Sequence, residues 1–321
     1  MSAVRIRYSR LATERANPAS VDLDRLSAQA IARLMNREDA RAVRAVGRVA
    51  PRIAAAVDLV AAALSRGGRL FFVGAGTSGR LGVLEAAECP PTFGTPPRLV
   101  QAIMAGGRAA VFRSREGAED DRGAARREIR RRVRAGDVVI GVSASGVTPF
   151  VRAAIVEARR RGARTVLVAC NPTSPRAAFA RTSGAHRRGH PPANQSPRRQ
   201  ETIIIAPRPG PEVLAGSTRL KAGTATKLVL NTLTTASLTR LGRVHGNRMV
   251  DLQPRSRKLR ERAVTLIQEL AGVARPRARR ALKAAGGRVR VAVVMARTGT
   301  SALAARRALK AAGGSLRTLL G

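Results

Sequence analysis

Short apolar runs alternate, along the first two thirds of the chain, with longer segments in which apolar residues recur at helical spacing. The runs are apolar at successive positions and do not alternate with polar residues as half-exposed strands do. Continuous runs of this kind are typical of strands buried on both faces. They are RLFFVG, RLVQAIM, DVVIGV, RTVLVAC and ETIIIAP. Strands that alternate with helices predict an α/β fold, in which helices cover both faces of a mostly parallel sheet.

The N-terminal part of the chain is predicted to be helical. Residues 22–46 carry apolar side chains at helical spacing, and Ser20 or Asp22 is the candidate N-cap. Residues 51–66 form a second, alanine-rich helix, in which Pro51 suits the first turn. The α/β pattern then follows this second helix.

The C-terminal part predicts a small helical domain over residues 255–321, after an N-terminal helical segment (1–50) and an α/β domain (51–252). The octapeptide RALKAAGG occurs at residues 280–287 and again at residues 307–314. Because Gly-Gly is a common helix C-terminal signal, each copy is expected to end a helix. The repeat therefore indicates two similar helical hairpins in one bundle.

Residues 181–200 interrupt the α/β pattern with a basic stretch that is rich in Gly and Pro. This composition predicts a flexible insertion. His186 and His190 lie within it, but no Cys or carboxylate is near them in sequence. An exposed loop is therefore favoured over a metal site.

The chain is strongly basic, with 60 Lys and Arg against 20 Asp and Glu and a net charge of +40. The arginines are spread over nearly every predicted helix, and aromatic residues make up only 2%. Stacking platforms for nucleic-acid bases are therefore lacking. We expect no specific nucleic-acid partner, although polyanions should bind nonspecifically at low salt.

The two cysteines, Cys89 and Cys170, are too few for a disulfide framework and lack the His context of a catalytic thiol. No apolar run approaches the roughly 18 residues of a membrane helix. The first twenty residues contain no apolar segment typical of a signal peptide. These features predict a cytoplasmic protein that does not bind membranes.

The motif GAGTSG, residues 74–79, follows the first predicted strand and opens a helix. Its glycine spacing fits a dinucleotide-binding loop, but that fold also requires an acidic residue about 20 positions later. No Asp or Glu occurs from residue 89 to residue 115. Backbone N–H groups at a helix N-terminus, with the hydroxyls of Thr77 and Ser78 and the small Gly79, instead suit a phosphate. A tight structural turn is the alternative.

A second loop of the same kind, SASGVT, follows the third predicted strand and precedes a helix. It contains Ser143, Ser145, Gly146 and Thr148. Two hydroxyl-rich loops at the C-terminal ends of neighbouring parallel strands should converge on one crevice. Together they predict a site for a small phosphorylated molecule. No Walker sequence is present, so a nucleoside triphosphatase is not expected.

Two carboxylates, Glu88 and Glu119, follow the first loop and the second predicted strand, respectively. Glu88 precedes a Cys-Pro-Pro sequence that predicts a turn. Partial burial there would raise the pKa of Glu88 towards neutrality, which suits a general base. The alternatives are an ion pair with an arginine for Glu88 and a surface or helix-cap position for Glu119.

Two cations, Arg219 and Lys221, lie in the segment GSTRLKAGTATK, residues 216–227. They are candidate contacts for a phosphate or for developing negative charge on a substrate. Spacing alone favours a solvated basic face of a helix.

Several stretches together resemble the N-acetylmuramic acid 6-phosphate etherases. The order of these stretches along the chain matches that family, and the resemblance extends from about residue 12 to the C-terminus. The stretches are TERANPAS, VGAGTSGRLGVLEAAECPPTFG, EGAEDD, GVSASGVTPFV, CNP, EVLAGSTRLKAGTATKLVLN and HGNRMVDL. The resemblance implies the sugar isomerase (SIS) fold, a three-layer sandwich with a five-stranded parallel sheet, in a cytoplasmic homodimer.

The resemblance also implies a reaction without metal or cofactor. N-acetylmuramic acid 6-phosphate would lose its D-lactyl ether by elimination and water addition, giving N-acetylglucosamine 6-phosphate and D-lactate. Glu88 falls on the family's catalytic acid/base and Glu119 on its second catalytic carboxylate. The hydroxyl-rich loops, with Thr77, Ser78, Ser143, Ser145 and Thr148, fall on its sugar-phosphate loops.

Three features depart from that family: the 181–200 insertion, the arginine content, and Val147, where many relatives carry Arg. The alternative function is a non-enzymatic SIS-fold regulator that binds a sugar phosphate, similar to glucokinase regulatory proteins. Those proteins usually carry two SIS domains, whereas one is visible here. An SIS isomerase or a DNA-binding regulator is a third possibility, but the TERANPAS match ties residues 1–50 to the etherase pattern.

Overall fold

The computed structural model describes residues 11–171, 201–254 and 256–321. The predicted insertion at 181–200, with His186 and His190, lies outside these residues. The chain divides into two compact units. One contains residues up to Glu85 and Gln101–Leu233, and the other contains Ala86–Val100 and Thr234–Gly321.

The five predicted strands form one sheet with the order β2-β1-β3-β4-β5. They are β1 Leu70–Gly74, β2 Val100–Met104, β3 Val138–Val142, β4 Arg164–Val168 and β5 Ile203–Ile205. Strand β3 lies parallel between β1 and β4, and β5 lies parallel to β4. The predicted parallel α/β sheet is therefore confirmed.

Helices connect β1 to β2, β2 to β3 and β3 to β4, as the sequence pattern predicts. They are α1 Ala28–Gly47, α2 Ala50–Ser65, α3 Gly76–Phe93, α4 Ala109–Phe112, α5 Arg122–Arg132, α6 Pro149–Arg160 and α7 Lys221–Arg240. Short 3₁₀ turns span Ala12–Glu14, Pro18–Ser20, Leu23–Arg25 and Ala118–Asp120.

Helices pack on both faces of the sheet because successive strand residues point to opposite sides. Phe71 and Val139 lie in a buried cluster with Phe150 of α6. On the other face, Phe72 packs against α3 so closely that a Cβ atom on Gly82 would lie 2.8 Å from its Cβ. The result is the predicted three-layer arrangement.

Helix α1 begins later than predicted. Ser27, not Ser20 or Asp22, is its N-cap, and the Ser27 side chain accepts a hydrogen bond from the Ala30 N–H. The preceding residues form separate 3₁₀ turns, one of which starts at Pro18. Apolar spacing does not distinguish such turns from a first helical turn. The prediction for the next helix is confirmed, since Pro51 lies in its first turn.

The second unit contains a β-hairpin and five C-terminal helices. The hairpin pairs β6 Val244–His245 with β7 Arg248–Met249. The helices are α8 Arg257–Ala271, α9 Arg275–Ala284, α10 Val289–Thr298, α11 Ala302–Ala311 and α12 Arg317–Leu320. Their apolar faces share one buried cluster.

Both copies of the octapeptide repeat end a helix, as predicted. Gly286 and Gly287 follow α9 with φ of +62° and +76°, and Gly313 and Gly314 follow α11 with φ of +60° and +85°. The N–H of the second glycine returns to a leucine carbonyl in each copy, at 2.9 and 2.7 Å. These left-handed conformations explain why glycine occupies all four positions.

We predict that Gly82→Ala destabilises the protein, although alanine is the better helix former. The new methyl group would clash with Phe72, and overpacking of this kind costs about 1–3 kcal/mol. Gly47→Ala is the matched control, because a Cβ on Gly47 would have no atom within 4 Å. Gly47→Ala should raise the free energy of unfolding by about 0.5–1 kcal/mol. Urea unfolding measures both, and equal effects would contradict the close contact.

Candidate functional site

The two hydroxyl-rich loops leave the sheet at the same edge. Strands β1 and β3 are neighbours, and Gly74 at the end of β1 lies opposite Val142 at the end of β3. The loops that follow these residues therefore start side by side at the C-terminal ends of parallel strands. Ligands of open α/β sheets bind at this edge.

Glycines allow α3 to start directly at the sheet edge. Gly76, its first residue, has φ of +52°. Residues with a Cβ atom disfavour this left-handed conformation. A Cβ on Gly79 would lie 2.7 Å from the Gly74 carbonyl oxygen, and a Cβ on Gly74 would lie 2.6 Å from the Gly79 nitrogen. The backbones of strand and helix therefore touch at this point.

Thr77 and Ser78 occupy the first turn of α3, and both are partly exposed. Gly79 donates its N–H to the Ala75 carbonyl at 3.1 Å. The preceding N–H groups have no carbonyl one turn earlier in the helix. Together with the two hydroxyls they form a site suited to an anion such as phosphate.

The second loop is held in shape by its own hydroxyl groups. The buried Ser143 Oγ lies 2.7 Å from Thr148 Oγ1 and 3.3 Å from Ser145 Oγ, and it accepts a hydrogen bond from the Gly146 N–H. Ser145 Oγ accepts from the Val147 N–H at 3.2 Å. Ser143 therefore shapes the loop, whereas Ser145 and Thr148 are partly exposed.

Glu119 lies in the 3₁₀ turn Ala118–Asp120, after Gly117, which has φ of +74°. Its turn lines a cavity of about 70 Å³ that Gly76 and Arg80 of α3 also line. Arg80 secures the neighbouring segment by donating from Nε to the Val111 carbonyl at 2.8 Å. The fold thus brings Glu119 to the start of the helix that carries Thr77.

Glu88 does not precede a turn, as the sequence suggested, but lies within α3. Pro90 and Pro91 are both inside this helix, which continues to Phe93. Each proline lacks the N–H that would bond to the carbonyl four residues earlier, so the last turn of the helix has two fewer backbone hydrogen bonds. Glu88 is also exposed rather than partly buried. The partial burial expected of Glu88 as a general base is therefore absent in the single chain.

Lys221 does not lie on a solvated face of the helix, as the spacing suggested, but is buried. Its side chain is only 1% exposed, and its Nζ forms an ion pair with Glu38, whose side chain is 3% exposed. A substrate contact would require this buried pair to break. Arg219, two residues earlier, is exposed.

A second buried carboxylate, Glu212, caps helix α7. It accepts hydrogen bonds from the backbone N–H groups of Lys221 and Ala222, each at 2.9 Å. Asn17 joins the cluster by donating to Glu38 at 2.8 Å and to the Pro211 carbonyl at 3.2 Å. The start of α7 is therefore fixed by groups that are distant in sequence.

The N-terminal strap, residues 11–20, is fastened across this region by further hydrogen bonds. Ser20 Oγ donates to the Val213 carbonyl at 2.7 Å, and the Gly216 N–H donates to the Thr13 carbonyl at 2.9 Å. Asn171, just after β4, accepts from the Ala12 N–H at 2.9 Å. The strap thus lies at the sheet edge where the two loops emerge.

The pKa values of the two buried carboxylates shift in opposite directions. Burial alone would raise the pKa of Glu38, but hydrogen bonds from Lys221 and Asn17 outweigh it and hold the pKa below its ordinary value. Burial dominates for Glu212 and raises its pKa despite the two backbone hydrogen bonds. Glu38 is therefore the fixed negative partner of Lys221.

Sequence inspection missed Glu38, although the pattern contains a sign of it. Leu34, Ala42 and Ala45 are the other buried residues of α1, and Glu38 falls on the same helical face. A carboxylate in the apolar stripe of a helix requires a buried partner. The sequence does not identify that partner, because Lys221 lies 183 residues away.

Comparison with known proteins finds one matching domain model and several relatives that match most of the chain. A model described as the glucokinase regulatory protein N-terminal SIS domain matches residues 52–159. The N-acetylmuramic acid 6-phosphate etherase of Gloeobacter violaceus is 52% identical over 286 residues, which cover 89% of this chain and 87% of that protein. The etherase of Symbiobacterium thermophilum is 49% identical, covering 89% and 88%. That of Vibrio vulnificus is 43% identical, covering 93% of each chain.

No helix in the described ranges has the length and apolar character needed to cross a membrane.

We predict that Lys221→Met destabilises the protein by about 3–5 kcal/mol, because it leaves Glu38 buried without a partner. The double variant Glu38→Leu/Lys221→Met should recover much of this loss. Urea unfolding at pH 7 measures both. The Glu38 contribution is present above the ordinary carboxyl pKa of 4.5 and is lost as pH falls through the lower folded value. A double variant as unstable as the sum of the single variants would contradict this pairing.

We predict that both thiols are unreactive in the folded protein. Cys89 and Cys170 are buried, and burial raises the pKa of Cys170 to about 12. The reactive thiolate of Cys170 is therefore nearly absent at neutral pH. An aromatic disulfide reagent should titrate two thiols after unfolding and far fewer before it. Rapid reaction of both thiols in the native protein would contradict the burial.

Proposed function

Since the chain belongs to the N-acetylmuramic acid 6-phosphate etherase family, we propose that it cleaves the D-lactyl ether of N-acetylmuramic acid 6-phosphate. The products are N-acetylglucosamine 6-phosphate and D-lactate. The observation that carries this proposal is the convergence of two hydroxyl-rich loops, opened by Gly74 and Val142, on one sheet edge. Homology indicates the substrate, and the C-terminal edge of the sheet offers a binding site for its phosphate.

The phosphate binds, in this proposal, at the start of α3. Thr77 and Ser78 offer hydroxyls beside N–H groups of the first helical turn, where the helix dipole favours an anion. Ser145 and Thr148 approach from the neighbouring loop, which Ser143 holds in shape. Gly79 lets the start of α3 lie against Gly74, and Gly146, with φ of +73°, lets the second loop turn back at the sheet edge.

The reaction is an elimination followed by hydration, which makes the enzyme a carbon–oxygen lyase. Ring opening exposes the C1 aldehyde, which acidifies the proton on C2. A base removes that proton, the C3–oxygen bond breaks, and lactate leaves with the ether oxygen. Water then adds to the unsaturated sugar at C3. The chain's own carboxylates suffice for the proton transfers, so the proposal requires no metal or cofactor.

Glu88 and Glu119 divide these proton transfers. One carboxylate removes the C2 proton, and the other protonates the leaving oxygen as its carboxylic acid. The position of Glu119 beside Gly76 supports a role next to the bound sugar.

We further propose that the enzyme acts as a cytoplasmic homodimer in which Glu88 serves the site of the second copy. Glu88 lies eleven positions after Thr77 in the helix, or about 16 Å along its axis. A hexose phosphate does not span that length. The exposure of Glu88 in the single chain leaves its carboxylate available to another copy.

A non-enzymatic sugar-phosphate sensor is the less favoured function. The regulatory-protein model covers only residues 52–159, whereas the etherase relatives match about nine tenths of the chain. Glu88 and Glu119 are also both present, and a sensor would not need two acid/base groups. The comparisons and the carboxylates therefore support the enzyme.

We predict that Glu88→Gln slows D-lactate release from N-acetylmuramic acid 6-phosphate by about 10²–10⁴-fold, the usual contribution of general acid–base catalysis. Binding of N-acetylglucosamine 6-phosphate should persist, because the phosphate loops are unchanged. Glu128→Gln, which alters a carboxylate of α5 outside the site, is the control and should release lactate at the wild-type rate. A folded wild-type protein that binds the sugar phosphate but releases no lactate would refute the enzyme and favour the sensor.

A further inference from the structure

Helices α3 and α7 run side by side with matched spacing. A Cβ on Gly223 would lie 3.9 Å from Thr77 Cγ2. Eight residues further along each helix, Asn231 Nδ2 donates to Glu85 Oε2 at 2.8 Å. The two contacts therefore define a strip of α7 that faces α3, beginning at the proposed phosphate site.

Lys227 lies midway along this strip. It is four residues after Gly223 and four before Asn231, and residues at this spacing share one helical face. Its side chain is exposed, and its Nζ donates to Asn231 Oδ1 at 2.7 Å. In the described parts of the chain no carboxylate forms an ion pair with it.

Asn231 fixes the direction in which this ammonium is held. Its amide oxygen accepts from Lys227, and its amide nitrogen donates to the buried Glu85 carboxylate. The amide therefore cannot flip without losing both hydrogen bonds. The Lys227 ammonium is thus held in one place by hydrogen bonds that lead to a buried carboxylate, whereas Lys221 is neutralised by Glu38.

We propose that Lys227 is the specificity-determining residue that binds the lactyl carboxylate of the substrate, with Asn231 and Glu85 as positioning residues. This inference rests on the proposed function. The substrate carries a phosphate at C6 and a carboxylate on the lactyl arm, and its sugar product retains only the phosphate. A second anion therefore needs a cation at a short distance from the phosphate loops.

The position of Lys227 on α7 places a cation at such a distance from the phosphate loops. Lys227 is about 6 Å along the helix axis from Gly223, which faces Thr77. This is less than the length of a phosphorylated hexose, and the flexible lysine stem covers the remainder. A lysine ammonium is a compact point charge, which suits a carboxylate on a rotatable arm.

Calorimetric binding of two sugar phosphates to the Glu88→Gln protein, with and without Lys227→Met, tests this assignment. N-acetylmuramic acid 6-phosphate carries the carboxylate, and N-acetylglucosamine 6-phosphate lacks it. Loss of a charge-assisted hydrogen bond should weaken the first ligand about 10–150-fold, from about 1.5–3 kcal/mol. Affinity for the second should change by less than about twofold, and Lys227→Arg should retain part of the preference for the first.

Equal weakening of both ligands would overturn the proposal, because it would show a general structural or phosphate role for Lys227. Unchanged affinity for both would also overturn it. Lys258→Met, which removes an exposed lysine from α8, is the matched control and should change neither affinity. Calorimetry does not depend on turnover, so failure of the lyase reaction itself would appear separately, as absent lactate release by the wild type.

Discussion

The candidate site depends on how closely helix α3 approaches strand β1. Gly74 and Gly79 bring the two backbones into contact, and Gly82 allows the next turn to lie on Phe72. A side chain at any of these positions would push the helix away from the sheet. The first turn of α3, with Thr77, would then move away from the loop that follows β3. The absence of a Cβ atom at these three positions therefore determines where the first turn of α3 lies.

The buried ion pair between Lys221 and Glu38 fixes the position of the helix on the other side of the candidate site. Transferring Lys221 and Glu38 out of water carries a desolvation penalty that their attraction does not reliably offset. The pair is therefore better explained by the positions it fixes than by stability. It ties α1 to the start of α7, while Asn17 brings the strap to the same point. Helix α7 is thereby held against α3, with Lys227 on the shared strip.

The sequence predicts most of the fold, because each strand is an apolar run and each connection carries glycine or a helix start. The placement of the two hydroxyl-rich loops at one sheet edge could also be predicted, since glycines and hydroxyls after a strand are a local pattern. The partner of Lys221 could not be predicted, because Glu38 lies on another helix and only tertiary packing brings the two side chains together. The helical setting of Glu88 was missed because a Pro-Pro sequence usually ends a helix, whereas here it lies in the last turn.

The proposed lyase breaks the bond between C3 and the ether oxygen. The most direct test is to run the reaction in water enriched in ¹⁸O and to locate the label by mass spectrometry. Elimination and hydration predict that the label enters the C3 hydroxyl of N-acetylglucosamine 6-phosphate and that the lactate hydroxyl carries none. Label in the lactate hydroxyl, with an unlabelled sugar, would mean that water attacks the lactyl carbon and would contradict the account.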